Sequence, residues 1–281
     1  MRKLLSANFY RLWKSKIFWL LEGICFLFGV INYALVAVNT KNLGQGWLEH
    51  NAHSYFYLPQ VLVMVVVIAV FTSFFIGADY SDGTIRNKLA VGHSRETFYL
   101  SCLVTTAAAE LFFLSAFLLP VFLIGIPFSG SAVITCVSLQ PWRIINILLF
   151  LMEYTSLFVL LTLLDSYKAR NVLICLMAAV VLILLGIVVY GRYMQPEFVD
   201  IVTALPDGGV ELKQGIPNGK YLTGTLRTIF EWFTLLLPSG SIMFSLDKNL
   251  GFDWRCPALA LLITLLLTRF GIRLFRKKDI R

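Results

Sequence analysis

Three carboxylates interrupt stretches of the sequence that are otherwise almost entirely apolar: Glu22, Glu110 and Glu153. An ionisable group at membrane depth is costly and often functional. Glu22 comes near the beginning of its stretch and can reach an interface, whereas Glu110 and Glu153 come nearer the middle. We expect one or both of these two to face a bundle interior or a partner subunit. Substrate or proton passage and an inter-helix hydrogen bond are equally open for Glu153, and a structural role is favoured for Glu110.

The sequence contains no convergent catalytic or cofactor-binding set. Neither His50 nor His53 has the spacing of a zinc protease, and His93 is predicted on the opposite side of the membrane. The string GIPNGKY (215–221) imitates a phosphate-binding loop, but it is one residue short between its glycines. It also has Tyr221 where Ser or Thr should bind magnesium. We therefore expect no metal site, no ATP site and no enzymatic activity in this chain.

The five cysteines have no redox or metal-ligand spacing. Cys25, Cys102 and Cys175 fall inside apolar runs, where a thiol behaves as a small hydrophobic group. Cys136 and Cys256 are predicted near the outer face, and a disulfide between them stays open because the sequence supplies no distance.

Composition places these residues in a membrane protein. The chain of 281 residues is 58% hydrophobic and 14% charged, whereas a soluble domain has about a quarter charged residues. A helical crossing needs about 20 mostly apolar residues. The beginning of the chain superficially resembles a secretory signal, but its long basic part predicts a retained first helix. Six runs qualify as spans: 17–38, 57–77, 98–125, 141–164, 169–191 and 257–275.

The distribution of basic residues predicts the orientation. Sixteen of the 24 Lys and Arg residues fall before the first span, in 77–97, in 165–170, and from Arg269 to Arg281. Basic loops stay in the cytoplasm, so both termini are predicted on the cytoplasmic side of the plasma membrane. This topology and contact with anionic lipid account for the net charge of +8. No pattern indicates nucleic-acid binding.

Two segments outside the spans have helical patterns. Residues 1–16 alternate apolar and basic groups, which is typical of a helix in the membrane interface. The outer loop, 192–256, has turns or a short hairpin at 206–220, followed by a predicted amphipathic helix from Thr225 to Leu237.

The predicted outer helix carries Arg227 and Glu231 at i, i+4 spacing. Thr225, or Thr228 together with Glu231, is the expected cap, and Pro238 with Gly240 is expected to end the helix. We expect the helix to lie on the outer leaflet or dip into it.

The segment between the second and third spans is short, charged and punctuated by glycine, GADYSDGTIRNKLAVGHSR (77–95). Gly83 and Gly92 bracket TIRNKLAV, which predicts a short helix with one basic and one apolar face. Such a helix could sit in a groove of another protein. The alternative is a solvated loop bound to lipid headgroups.

These features together resemble the permease subunit of type-2 ATP-binding-cassette exporters, in particular the six-span permeases of Gram-positive bacteria. The resemblance covers the whole chain and includes EWFTLLLPSG (231–240) before the last span. Its most specific part is the segment after the second span, where Gly77 and Ser94 also fit the pattern. The residues that would couple the permease to an ATPase are Asp79, Tyr80, Gly83, Thr84, Arg86, Asn87, Lys88, Gly92 and Arg95.

The resemblance implies a fold and a mechanism. The chain is expected to be one all-α polytopic membrane domain (1–281), with an N-terminal interfacial helix, a cytoplasmic coupling helix in 78–97, and an outer-loop helix between spans 5 and 6. Two permease subunits, identical or paralogous, would form the path, and separate cytoplasmic ATPase subunits would bind ATP and Mg²⁺. Arg86, Lys88 and Arg95 would contact the ATPase or lipid phosphate, and the helix with Arg227, Glu231 and Pro238 would guard the exit.

Other functions stay open at the level of sequence. Glu110 and Glu153 could serve an ion-coupled transporter or channel, although there is no inverted repeat and no span broken by paired Gly and Pro. The outer loop could belong to a peptide-binding sensor or immunity protein. An amphipathic peptide or antibiotic would suit an aromatic-rich outer loop, but the sequence does not identify the substrate.

Overall fold

The computed structural model describes residues 1–43, 58–120, 123, 141–204, 210–247 and 251–279. This part of the chain is helical apart from one hairpin. Its elements in chain order are α1 Arg2–Lys14, α2 Lys16–Leu43, α3 Leu58–Ser81, α4 Thr84–Ala90, α5 Arg95–Pro120, α6 Pro141–Leu164, α7 Lys168–Tyr193, β1 Phe198–Ala204, β2 Val210–Pro217, α8 Gly224–Leu236, α9 Pro238–Leu246 and α10 Arg255–Lys277.

Six helices, α2, α3, α5, α6, α7 and α10, are long and apolar enough to cross a membrane. These helices fit the predicted all-α polytopic membrane protein with six spans, and the bent pair α8 and α9 together would also be long and apolar enough for a seventh. One boundary differs in an instructive way. The second span was expected to end at 77, but α3 continues to Ser81, so Asp79 and Tyr80 belong to the helix and not to a loop. The extra turn persists because Asp79 meets cations from two other helices, Arg11 and Lys88.

The bundle is built around α3 and α6, whose apolar spans are 67% buried, against 22–24% for α2, α7 and α10. α6 contacts α3, α5, α7, α9 and α10. The interior is rich in aromatic rings such as Phe71, Phe113 and Phe158, all completely buried. Because lipid tails are as apolar as these rings, close packing and inter-helix hydrogen bonds hold such a bundle together.

α1 is a separate helix that packs on α5. Ser15, in an extended conformation, ends it and lets α2 leave in a new direction. Its buried residues are Leu4, Asn8 and Leu12, so a polar amide shares the face turned toward the bundle. That face also differs from the simple apolar-versus-basic division expected for 1–16, because Arg11 is directed inward as well.

At the opposite end of the bundle, β1 and β2 pair antiparallel, with Phe198 opposite Pro217 and Ala204 opposite Val210. The expected short hairpin is therefore present, but its first strand begins before the predicted segment 206–220. Gly215 has a φ of +70°, and its N–H donates to Asp200 Oδ1 at 3.0 Å.

α8 agrees with the predicted outer helix to within one residue and ends just before Pro238 as expected, but the expected N-terminal cap was wrong. Thr223, not Thr225 or Thr228, is the N-cap residue, and its side chain makes no capping bond. Pro238 is the first residue of α9, and the axis of α9 makes an angle of 101° with that of α8. Proline fits the first position of a helix because no intrahelical partner is lost there. α9 is almost fully buried and packs on α7 and α6.

Candidate functional site at the basic end of the bundle

The basic end of the bundle is formed by α1, α4, residues 165–170 and the end of α10. α4 lies there between two glycines with positive φ, Gly83 at +64° and Gly92 at +95°. A side chain rarely adopts these angles. The two glycines therefore allow the chain to turn sharply into and out of a helix of 7 residues. The short helix expected between them is present as Thr84–Ala90.

The inner face of α4 is fixed by a buried carboxylate. Asp79 is completely buried at the end of α3. Its Oδ1 accepts from Lys88 Nζ at 2.8 Å, from Thr84 Oγ1 at 2.6 Å, and from Arg11 Nη1. A buried charge requires such partners. One carboxylate oxygen thus joins α1, α3 and α4.

Asn8 extends this arrangement to α5. Its Oδ1 accepts from Lys88 Nζ at 3.3 Å, and its Nδ2 donates to Ser101 Oγ at 3.2 Å. Asn8 and Ser101 are both buried. We call the group Asn8, Arg11, Asp79, Thr84 and Lys88 the Asp79 cluster. Its members lie on three helices, α1, α3 and α4, and the bond from Asn8 to Ser101 attaches α5, so a displacement of α4 is resisted by the ends of all four helices.

An aromatic ring covers one side of each of the two cations of the Asp79 cluster, which stay 31% and 20% exposed. The Arg11 guanidinium lies 4.0 Å from the centre of the Phe75 ring, and Arg11 Nη2 donates to the Phe75 carbonyl at 3.2 Å. Lys88 Nζ lies 5.4 Å from the centre of the Phe98 ring. Cations are attracted to the faces of aromatic rings, most strongly where they are desolvated.

A second set of contacts ties the C-terminal residues to the same end. Tyr80 donates from its hydroxyl to the Leu163 carbonyl at 2.6 Å. Lys278 Nζ donates to Tyr80 Oη at 2.9 Å and to the Leu163 carbonyl at 3.0 Å. Burial lowers the pKa of Lys278 to about 8. The residue after α10 is thus attached to the ends of α3 and α6.

Arg95, the first residue of α5, closes the end of α10. Its Nη1 donates to the carbonyls of Phe275 at 3.2 Å, Arg276 at 2.9 Å and Lys278. The last carbonyls of a helix lack intrahelical partners and attract cations. An ion pair between Arg276 and Glu96 adds a second link between these helices.

The outer face of α4 makes no comparable contacts. Arg86, Asn87 and Ala90 are exposed, and Val91, just after the helix, is 81% exposed. These four residues are the exposed face of α4. An apolar side chain beside a basic one is a surface suited to a partner with an apolar groove and a carboxylate.

The structure divides the residues predicted to couple to an ATPase. Five of them make their polar contacts inside this chain: Asp79, Tyr80, Thr84, Lys88 and Arg95. Any contact that Lys88 or Arg95 made with an ATPase would therefore compete with these internal contacts. Arg86 and Asn87 are directed outward, and Gly83 and Gly92 shape the two turns. Whether any of them couples to an ATPase stays a prediction.

Sequence reasoning missed three members of this region: Asn8, Arg11 and Lys278. Arg11 and Lys278 were counted only as basic residues of a cytoplasmic face. A pointer was available in Asp79, because a carboxylate immediately after an apolar run of span length needs a cation. Nothing in the sequence says which of the many nearby cations it is.

The short segment after α6 has its own ion pair. Arg170 donates from Nη2 to Asp165 Oδ1 at 2.5 Å. The hydrogen bond from Arg170 holds the pKa of the Asp165 carboxyl below its ordinary value. The other basic residue of this segment, Lys168, has its Nζ 4.9 Å from the centre of the Phe74 ring. Both basic residues of the segment therefore make contacts within this chain.

Glu110 and Glu153 both face the bundle interior, at 1% and 3% exposure. Glu110 Oε2 accepts from Thr155 Oγ1 at 2.7 Å, which joins α5 to α6. This contact is of the structural kind favoured for Glu110. Whether either carboxylate lines a path stays open.

At the opposite end, the residues predicted as an exit gate lie around α8. The i, i+4 spacing of Arg227 and Glu231 suggested an ion pair, but the two side chains do not pair. The Arg227 guanidinium instead lies 5.0 Å from the ring centres of both Tyr193 and Tyr221. Glu231 Oε1 accepts from Arg255 Nη2 at 2.6 Å, and Arg255 Nη2 also contacts Asp253 Oδ2 at 2.7 Å. We call Glu231, Asp253 and Arg255 the Arg255 cluster.

Pro238 sets the position of α9 beneath α8. Ser239 Oγ donates to the Leu182 carbonyl at 2.5 Å, and Asn146 Nδ2 donates to Ser245 Oγ at 2.7 Å. Hydrogen bonds therefore hold α9 to both α7 and α6.

No group of three or more His, Cys, Asp or Glu residues that could hold a metal ion occurs in the described ranges. His50, His53 and Cys136 lie outside those ranges. Cys256 is a buried free thiol, and the disulfide with Cys136, which the sequence left open, involves a residue outside those ranges.

No protein-family model matches the chain, and no curated protein matches it.

Proposed function

We propose that this chain is the membrane-spanning subunit of an ATP-driven exporter of the ATP-binding-cassette class. It would form the substrate path with a second permease subunit, identical or paralogous, in the plasma membrane. Both termini would lie in the cytoplasm. Separate ATPase subunits would bind ATP and Mg²⁺ and dock on the segment 77–97, so this chain would not itself be an enzyme.

The two-sided environment of α4 carries the proposal. Its inner face is joined to the helix ends through Asp79, with Lys88 Nζ at 2.8 Å and Thr84 Oγ1 at 2.6 Å. Its outer face presents Arg86 and the 81%-exposed Val91. A helix that transmits force needs a rigid attachment on one side and a free contact surface on the other.

The attachment defines a route for the motion. A push on α4 would move Asp79 at the end of α3, Arg11 on α1, and, through Asn8, Ser101 on α5. Tyr80, next to Asp79 on α3, accepts a hydrogen bond from Lys278, which also donates to the Leu163 carbonyl. These bonds extend the route to the ends of α10 and α6. Packed helices joined by ion pairs move as units and not by continuous deformation. ATP-driven closure of two ATPases would thus be passed to the spans.

The opposite end supplies an element that could open in response. α8 exposes apolar side chains including Leu226, Trp232 and Phe233, while α9 fills space between α6 and α7. A path past this pair, open to the bilayer, suits an amphipathic substrate such as a membrane-active peptide or antibiotic. Arg227, Glu231 and Pro238 would hold the pair closed.

Co-purification from native membranes tests the proposal. The tagged protein in mild detergent should bring a soluble ATPase in near-stoichiometric amount, identified by mass spectrometry. The variant Arg86→Glu/Val91→Asp should lose the ATPase while inserting and folding normally, because both side chains are exposed. Lys3→Glu, an exposed charge reversal on α1 at the same end, is the matched control and should keep it.

Retention of the ATPase by Arg86→Glu/Val91→Asp would contradict docking on the exposed face of α4. Purification of the wild-type chain without any ATPase, in several detergents, would contradict the exporter itself. Reversal of Lys88 is unsuitable for this test, since its carboxylate would meet buried Asp79 and damage the fold.

An ion-coupled transporter is the second candidate, and the burial of Glu153 inside the bundle favours it. Transport into vesicles that follows an ion gradient without ATP, and disappears in Glu153→Gln, would support this function. A peptide-binding sensor would instead keep its affinity for peptide when the ATPase is removed.

A further inference from the structure

The lipid-facing side of α10 carries two arginines that the proposed transport function does not use. Arg269 and Arg273 are exposed and stand one helical turn apart. Within the described ranges, neither guanidinium has a hydrogen bond or an ion pair. This distinguishes them from Arg276, which pairs with Glu96, and from Arg255 in its cluster.

The direction of these arginines follows from helix geometry. The buried face of α10 is marked by Ala260, Thr264 and Phe275, together with Gly271, which packs against the Tyr99 ring. At about 100° per residue, Arg269 lies roughly 150° around the helix from the centre of that face. It is therefore directed away from the bundle.

Arg269 and Arg273 lie further from the basic end of the bundle than Arg276 and Lys277, which are in the last turn of α10. Arg273 is four residues and Arg269 eight residues before the end of α10 at Lys277, which is about 6 and 12 Å along the helix axis. The neighbouring exposed residues are apolar: Leu265, Leu266 and Phe270 are 55–59% exposed. A guanidinium in this position must reach a negative charge or water at the interface.

A shallow, open depression formed by side chains of α10 alone lies beside the two guanidinium groups, and we call it the groove. Its volume is about 490 Å³, and most of its wall is apolar. Its lining residues are Ile263, Leu266, Leu267, Arg269, Phe270 and Arg273. The groove thus combines a hydrocarbon-lined part with two cations at the end nearer the interface, and α10 contains no acidic residue to neutralise them.

We propose that this face of α10 binds one anionic phospholipid of the leaflet at the basic end. The headgroup phosphate would lie between Arg269 and Arg273, and an acyl chain would lie along Leu266 and Phe270. Guanidinium groups form paired, charge-assisted hydrogen bonds with phosphate oxygens. A phospholipid has both groups that this surface would bind: an anionic phosphate for the two arginines and an acyl chain for the apolar side chains beside them.

A second copy of the chain is the competing occupant. It would need a carboxylate at the same depth. In the described spanning helices Glu110, Glu153 and Asp79 are buried and Glu96 is paired, which leaves Glu22 on α2, half-buried. The apolar groove favours the lipid, because a single carboxylate would leave one arginine and the groove unfilled.

Native mass spectrometry of the full chain, released from nanodiscs of equal phosphatidylglycerol and phosphatidylcholine, tests the proposal. The wild type should retain one phosphatidylglycerol per chain in preference to phosphatidylcholine. Arg269→Gln/Arg273→Gln should lower that retention roughly tenfold or more, since each basic residue contributes appreciably to anionic-lipid binding. Arg2→Gln/Lys3→Gln removes the same charge from the same end and should retain the lipid.

Two further variants separate the parts of the site. Leu266→Trp, which fills the groove and keeps both charges, should also lose the lipid. Arg269→Lys/Arg273→Lys should bind it more weakly than the wild type but more strongly than the Gln pair, because lysine cannot form the paired hydrogen bonds.

Unchanged retention in Arg269→Gln/Arg273→Gln, or equal retention of both phospholipids by the wild type, would overturn the proposal. Displacement of the lipid by millimolar inorganic phosphate would assign the site to a free anion. A disulfide between copies carrying Phe270→Cys and Glu22→Cys, with no retained lipid, would assign the face to a second copy. None of these outcomes depends on whether an ATPase docks on α4.

Discussion

The Asp79 cluster and the Arg255 cluster contain the same kinds of charge in opposite proportions. At the basic end, one completely buried carboxylate serves two cations whose side chains are 31% and 20% exposed. At the opposite end, one guanidinium serves two carboxylates, and the three side chains stay 15–29% exposed. The two clusters therefore differ in their central group: water does not reach Asp79 but does reach Arg255, so the first cluster should be the costlier to break.

This difference suits the two ends to different tasks. The Asp79 cluster holds α4 to the bundle as a rigid unit, whereas the Arg255 cluster joins α8 to the beginning of α10 with bonds that water can replace. The exporter proposed above would need a stiff connection at the driven end and a movable element at the exit. The experiments below test this contrast, in order of decreasing effect.

Asp79→Asn should have the largest effect. It leaves the cations of Arg11 and Lys88, which are 31% and 20% exposed, without the buried carboxylate that both contact, which should cost about 3 kcal/mol, the lower end of the range for a buried pair. We expect loss of monodisperse protein, or a strongly lowered melting temperature, by fluorescence-detected size-exclusion chromatography. Asp82→Asn, at an exposed position of the same end, should behave as wild type.

A triple variant isolates the cause. If unpaired charge is responsible, Asp79→Asn/Arg11→Gln/Lys88→Gln should be more stable than Asp79→Asn alone, since it removes both orphaned cations. Equal stability of the two variants would show that packing, and not charge, governs this end.

Gly186→Ala tests how firmly α9 is held at the opposite end. An added Cβ would stand 2.6 Å from the backbone N of Gly240 and closer still to the Ser239 hydroxyl. We expect a destabilisation of about 1–3 kcal/mol, typical of overpacking, measured as a drop in melting temperature. Gly191→Ala, on the same helix with open space around it, is the control. If both variants match the wild type, α9 is not packed against α7 as described.

Glu231→Gln should change stability by less than about 1 kcal/mol, because the partner Arg255 keeps Asp253 and the site is partly exposed. The small loss should shrink as salt is raised, which can be followed by melting curves at several ionic strengths. A loss as large as that of Asp79→Asn would remove the contrast between the two clusters.

The smallest effect is expected from Lys278, because its side chain is only partly buried and water reduces the cost of its charge, and the effect should depend on pH. Burial lowers the pKa of this lysine from 10.5 to about 8. Between these values the unfolded chain binds more protons than the folded one, so stability from this group rises with pH. The melting temperature of the wild type relative to Lys278→Met should therefore increase from pH about 8 to 10, and a flat difference would contradict it.

Much of the fold follows from the sequence, and so does the place of the candidate site. Six apolar runs of span length predicted six spanning helices, and Gly83 with Gly92 predicted α4 to within a residue. The sequence predicts the end of α3 four residues too early, because a carboxylate such as Asp79 after an apolar run is typical of a loop. Its partners Arg11 and Lys88 keep it in the helix. Pro238 ends α8 as predicted, but the sequence does not show that α9 begins there, because a proline that stops one helix and a proline that begins the next look alike in sequence.

Composition and the length of the apolar runs are enough to predict a polytopic helical membrane protein with a charged segment after the second span. Hydrocarbon thickness sets the length of a span, and the absence of water there requires every backbone hydrogen bond to be made within the helix. Which charges turn inward is a property of the tertiary structure. Asp79 and Lys88 each have a partner on α1, 68 and 80 residues away in the chain, and no local pattern encodes a contact across that separation.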